Sequence, residues 1–130
     1  MPTQSAVLHD AGPKEKTVLN LTGIGADVAA TNLMLTPAAA GMYRINCYIV
    51  NTTSGTGGDA LPDVFITIAD ESGANTVYMG QAPGLTAGMN AYTTVPFWCS
   101  ASTTITYTIT GGTYAGGLKM AMHMMLETLA

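Results

Sequence analysis

The stretch LKMAMHMMLETLA, residues 118 to 130, carries four of the chain's nine methionines between Met120 and Met125, and the fold turns on how it is read. With a period of two, Leu118, Met120, Met122, Met124 and Leu126 form an unbroken apolar face, opposed by Lys119, Ala121, His123, Met125 and Glu127. With a helical period, positions 119, 123 and 127 also align at i, i+4 and i+8, so a helix fits the polar face as well. Periodicity leaves both open, and context decides. Gly116 and Gly117 make a poor helix start beside Ser, Thr, Asp or Asn, and the chain before them reads as a succession of strands. A last strand of this length belongs in the centre of a sheet, with both faces covered.

Working back from that segment, Gly, Pro, Asn and Ser clusters recur at the spacing of short strands in a sandwich or barrel. TTITYTIT (103 to 110) is strand by its β-branched content. YTTVPFWCS (92 to 100) alternates with Val95, Phe97 and Cys99 together. Pro96 lacks an N–H there, which predicts an edge strand or a bulge. VFITIAD (64 to 70) and TVYMGQ (76 to 81) make a hairpin across the ESGAN turn. In GMYRINCYIV, Tyr43, Ile45, Cys47 and Ile49 share one face, while Met42, Arg44, Asn46 and Tyr48 share the other; one of these faces is core. ATNLMLT (30 to 36) and TVLNLT (17 to 22) complete the set of about eight strands. The expectation is an all-β antiparallel sandwich or jelly roll over residues 17 to 130, preceded by a polar, aperiodic arm over residues 1 to 16. The Gly-, Ser- and Thr-rich loop at 51 to 63 is long for a connection and is read as mobile or used.

Composition narrows the function classes. Charged residues are 9% of the chain and hydrophobic ones 48%, where an ordinary soluble domain carries about 25% charge; the surface must be small and polar, or covered by partners. Lys14, Lys16, Arg44 and Lys119 are too few and too scattered to neutralise a row of phosphates, so no nucleic acid is expected. No apolar run approaches the roughly 18 residues of a membrane span, and the start MPTQSAVLHDAGPKEK has no signal-peptide core. Synthesis in a host cytoplasm is expected, with Cys47 and Cys99 reduced and buried.

The segments AAAGMYRINCYIV, ITIADESGANTVY and TITYTITGGTYAGGLKMAMHMMLETL resemble small β-sandwich proteins of tailed bacteriophages, which look like jelly rolls related in shape to the trimeric C1q and tumour-necrosis-factor heads. The matching positions are Pro37, Gly41, Tyr43, Arg44, Tyr107, Tyr114, Gly116 and Glu127, which are framework residues. The resemblance implies a virion structural protein: a homotrimeric decoration or cement subunit at the capsid surface, holding the major capsid protein. The alternative it allows is a tail- or head-fibre tip that binds host glycans through loops 51 to 63 and 81 to 91. Contacts with a partner are expected from the arm and the first long loop, at Gln4, His9, Lys14, Lys16, Thr53 and Asp59.

Chemistry beyond binding finds little support. His9 and His123 are more than a hundred residues apart and no cluster of converging metal ligands is legible. Asp59, Asp63, Asp70 and Glu71 lie in or next to loops, where carboxylates are solvated or cap turns. No enzyme, metal or cofactor is expected. Trp98 is read as packing, unless exposed as a sugar platform.

Overall fold

The computed structural model describes residues 16–33 and 37–129. Eight strands form among them: β1 (Lys16–Ile24), β2 (Val28–Asn32), β3 (Gly41–Thr53), β4 (Asp63–Asp70), β5 (Gly73–Gln81), β6 (Asn90–Cys99), β7 (Thr106–Thr110) and β8 (Lys119–Thr128). They build two four-stranded antiparallel sheets, the first ordered β1-β8-β3-β6 and the second β2-β7-β4-β5. Every connection except the β4–β5 hairpin crosses from one sheet to the other. That is the jelly-roll arrangement of a double Greek key.

The terminal segment is a strand, and its even positions are the reason. Met120, Met122, Met124 and Leu126 are all buried in the shared core, with Tyr43, Ile45, Cys47 and Ile49 of β3 and Val64, Ile66 and Ile68 of β4, and Leu118 is buried just before the strand. Each such side chain contributes about 1.5–3 kcal/mol on leaving water, which no single face of a helix would gather from so many consecutive alternate positions. β8 lies between β1 and β3, as a central strand should. Its outward face is covered at Ala121 and Glu127, whereas His123 is exposed. The expectation of two covered faces therefore holds only in part.

Four local expectations need correction or refinement. The second strand ends at Asn32; Leu33, almost wholly buried, follows it and donates its N–H to the carbonyl of Ile105, and residues 34–36 of the expected segment lie outside the described residues. β7 begins at Thr106 because Thr103 and Thr104 are exposed before it. Pro96 does lie on an edge strand, β6, whose ladder with β3 runs without a register shift; the shifts fall in other ladders, one of them in β1 between Leu21 and Ile24, where Gly23 adopts φ +64°. Trp98 is not packing; it points outward from β6 and is exposed.

The cysteines sit in the same core and cannot meet within one chain. Cys47 opposes Thr93 and Cys99 opposes Gly41, so they lie six positions apart along the β3–β6 ladder, about 20 Å at 3.3 Å per residue. A disulfide needs Cα atoms within about 7 Å. Both are free and buried, and burial pushes the Cys47 thiol up to about 12 and raises that of Cys99.

Candidate functional site

Alternation leaves the odd positions of β8 and the even positions of β3 facing away from the core, and the ladder lines them up in rows. One row runs Asn20, His123, Tyr48, Tyr92 across β1, β8, β3 and β6; the next runs Val18, Met125, Asn46, Thr94. Four strands at about 4.8 Å spacing make each row about 14 Å long. Between these rows lies a shallow cleft of about 200 Å³, with Lys16 at its rim.

The cleft is organised by side-chain hydrogen bonds. Tyr92 donates its hydroxyl to Oδ1 of Asn46 at 3.1 Å, and Thr94 donates to the same oxygen at 3.0 Å. Nδ1 of His123 lies 2.7 Å from Oδ1 of Asn20, within hydrogen-bonding distance. Tyr48 packs near His123 with ring centroids 6.3 Å apart. Tyr92 is 66% exposed although its hydroxyl is tied down, so its ring is a fixed, open platform.

The rest of this face continues in the same character. Val18, Met42, Tyr48, Tyr92 and Trp98 are large, apolar and exposed, and all five project from it. Arg44 reaches Glu127 through Nε at 2.8 Å and also through Nη2. Glu127 is buried and Arg44 half-exposed, so the carboxylate is largely withdrawn from water and is paired with Arg44.

The sequence-based contact residues separate. Gln4, His9 and Lys14 lie outside the described residues. Lys16 opens β1 at the rim of the cleft, and Thr53 is exposed at the end of β3. Asp59 has an internal role: it is buried, and its carboxylate accepts from the N–H groups of Thr56, Gly116 and Leu118 at 3.4, 2.6 and 3.2 Å. It clasps the loop after β3 to the loop before β8. Gly116 is required there, because a Cβ on it would stand 2.8 Å from the Asp59 carboxylate. The expected 51 to 63 loop begins only after Thr53; it is pinned at Asp59, and the end of β3 is pinned at Asn51, whose Nδ2 donates to the carbonyls of Gly84 and Thr86.

A second clasp closes the same end of the sandwich. Asp27 accepts from the N–H groups of Gly111 and Gly112, each at 3.0 Å, and from the Tyr114 hydroxyl at 2.9 Å. Burial, with that bond to a carboxylate, raises the Tyr114 hydroxyl well above the usual phenol range. Asp70 holds the β4–β5 turn through Ser72 and Asn75, and those bonds lower its carboxyl. Among the described residues no group of three or more His, Cys, Asp or Glu is placed to hold a metal ion.

The cleft escaped the sequence because its two rows of side chains come from four strands up to about a hundred residues apart. One signal was available: Met42, Arg44, Asn46 and Tyr48 alternate on the non-core side of β3, an unusual run for a face meant only for water.

No family model and no curated protein matches the chain. Among solved structures it is similar to a chain in the structure of infectious bursal disease virus Gx strain, with a TM-score of 0.54 and 16% identity over 92% of this chain and 34% of that one. The Gt strain gives a TM-score of 0.53 and 14% identity over 91% and 33%. A family 16 carbohydrate-binding module-2 is more distant, with a TM-score of 0.43 and 15% identity over 79% of this chain and 70% of the module. The chain spans about a third of the length of the two viral chains it matches. At such identity the likeness is one of fold, and the fold is a jelly roll of the kind those virus-particle chains contain.

Proposed function

We propose that the chain is a structural protein of a virus particle: a decoration or cement subunit of a tailed-bacteriophage head, homotrimeric, bound to the major capsid protein on the capsid surface. The observation that carries this reading is the complete eight-strand jelly roll, similar in fold to the infectious bursal disease virus chains. The surface supports it, since a domain with 9% charge and five large apolar side chains on one sheet face gains by being covered. The mechanism is passive. Each 100 Å² of apolar area removed from water between subunits contributes about 2.5 kcal/mol, and repetition over a shell multiplies it. Exposed Lys16 and Thr53, with Gln4, His9 and Lys14 of the N-terminal segment, extend the contact.

The test is to locate the chain. Antibody raised against it, applied with gold label to particles from the culture carrying the gene, should decorate heads, and sedimentation of the isolated protein should give a trimer. Label absent from particles overturns the reading, and a monomer at micromolar concentration overturns the trimer.

A second reading is favoured by the cleft: a fibre-tip or head-fibre domain that binds host-surface glycans. Two tyrosines and two carboxamides on a rigid sheet face are the groups that stack on and hydrogen-bond to sugars. Label confined to fibre tips would select it over the first.

A further inference from the structure

The chain is acidic overall, with a net charge of -4, yet its cations are not spread evenly over the fold. Lys16, Arg44 and Lys119 are the basic residues among the described ones, and all three lie on the outward register of the first sheet, together with His123. Among the described residues the one carboxylate on that register, Glu127, is buried and engaged by Arg44. Asp27, Asp59, Asp63, Asp70 and Glu71 all lie elsewhere, on the connections and the second sheet. Among the described residues no carboxylate lines the cleft, whereas Lys16 does.

The hydrogen bonds inside the cleft make it a donor-rich site. Oδ1 of Asn46 is occupied by two hydroxyl donors, and Oδ1 of Asn20 by the imidazole. What remains to a ligand is the NH₂ group of each carboxamide and the ammonium of Lys16, about seven N–H donors by the ordinary inventory of two per amide and three per lysine. A ligand complementary to this must be rich in acceptors and carry negative charge, and must offer an apolar face to the open ring of Tyr92.

We propose that this cleft binds an acidic oligosaccharide, one whose sugar rings bear a carboxylate, with Tyr92 stacking on a ring, Asn20 and Asn46 donating to its oxygens and Lys16 pairing with the carboxylate. The proposal rests on the glycan-binding reading of the same cleft and adds the charge class. A single cation at the rim fits one carboxylate better than a nucleic-acid backbone, which needs a row of them.

The experiment is calorimetric titration of the full chain with 3′-sialyllactose and trigalacturonate, with lactose and cellotetraose as neutral counterparts, and with a short polyglutamate peptide. The acidic sugars should bind at least tenfold more tightly than the neutral ones. Lys16→Ala should remove most of that preference, and Tyr92→Ala should abolish sugar binding with no change in melting temperature. Equal affinity for lactose and 3′-sialyllactose overturns the charge assignment and leaves the glycan reading standing. No binding by any of the four sugars overturns both. Polyglutamate binding as tightly as the sugars overturns the sugar class, since an acidic peptide would then be the better occupant.

Discussion

On the outer face of the second sheet, Thr67 of β4 stands between Thr76 of β5 and Thr106 of β7, and Phe65 leans on Tyr78 at 5.2 Å between ring centroids. On the outer face of the first, the equivalent central rows hold Asn20, His123, Tyr48 and Tyr92, then Val18, Met125, Asn46 and Thr94. Both sheets send the same kind of aliphatic side chain inward, so the difference is not demanded by folding. A threonine surface is a β-favouring, well-hydrated finish. A surface of open aromatic rings, methionine and the molecule's described cations costs hydration that only contact with something else recovers.

If the two sheets share one core and differ only outside it, truncating either inner face should cost alike. Met124→Ala in β8 and Ile66→Ala in β4 are each expected to lower stability by about 2–5 kcal/mol, measured by urea denaturation. A loss confined to one of them would break the picture of a shared core.

The clasp between connections comes next. Asp59→Ala strips the acceptor from three N–H groups at a buried position, and is expected to cost about 2–4 kcal/mol, given about 1–3 kcal/mol per orphaned buried group with partial recovery by water. Amide exchange should accelerate at Gly116 and Leu118 first. Uniform acceleration over the whole chain would mean that the clasp is part of the global core and not a local fastening.

Alkaline titration probes the inner face of the first sheet. The Cys47 thiol rises from 9.0 to about 12 on folding, so below pH 9 both states hold the proton and stability is at its full value. Between pH 9 and 12 the unfolded chain loses the proton while the folded one keeps it, and stability should fall by up to about 1.4 kcal/mol per pH unit. Cys47→Ala should make that decline shallower, though Cys99 and Tyr114 rise as well and leave a residual slope. An unchanged slope would assign the alkaline loss to those groups alone.

The smallest effects sharpen the comparison most. Tyr92→Ala and Thr76→Ala, one on each outer face, are both expected to change stability by no more than about 0.5 kcal/mol. Only Tyr92→Ala should alter association or ligand binding.

Much of the sandwich could be read along the chain because alternation is local: Tyr43, Ile45, Cys47 and Ile49 announce their face without reference to anything else. The terminal strand needed more, since Lys119, His123 and Glu127 satisfy a helix as well as a strand, and only the company of the other strands resolved it. The end of β2 was misjudged at Leu33, where apolarity marks burial in the core but not membership of a strand. Asp59 looked like a loop carboxylate open to partners, and its burial depends on Gly116, 57 residues away. Likewise the basic residues look scattered in sequence and are gathered on one face only by register.

The position of β8 also governs how the chain can reach its fold. This strand is the last of the eight to be synthesised, yet it lies between β1 and β3, pairing Lys16 with Glu127. Until it leaves the ribosome, β1 has no neighbour and β3 keeps one edge open, while the four strands of the second sheet are already complete. Closure across so long a loop is slow, as in other β topologies dominated by distant pairings, and the waiting edges invite pairing with other nascent chains. The interval between β3 and β8 is therefore the moment at which misassembly competes with folding, and the speed of translation from the end of β3 to the end of β8 becomes part of the yield.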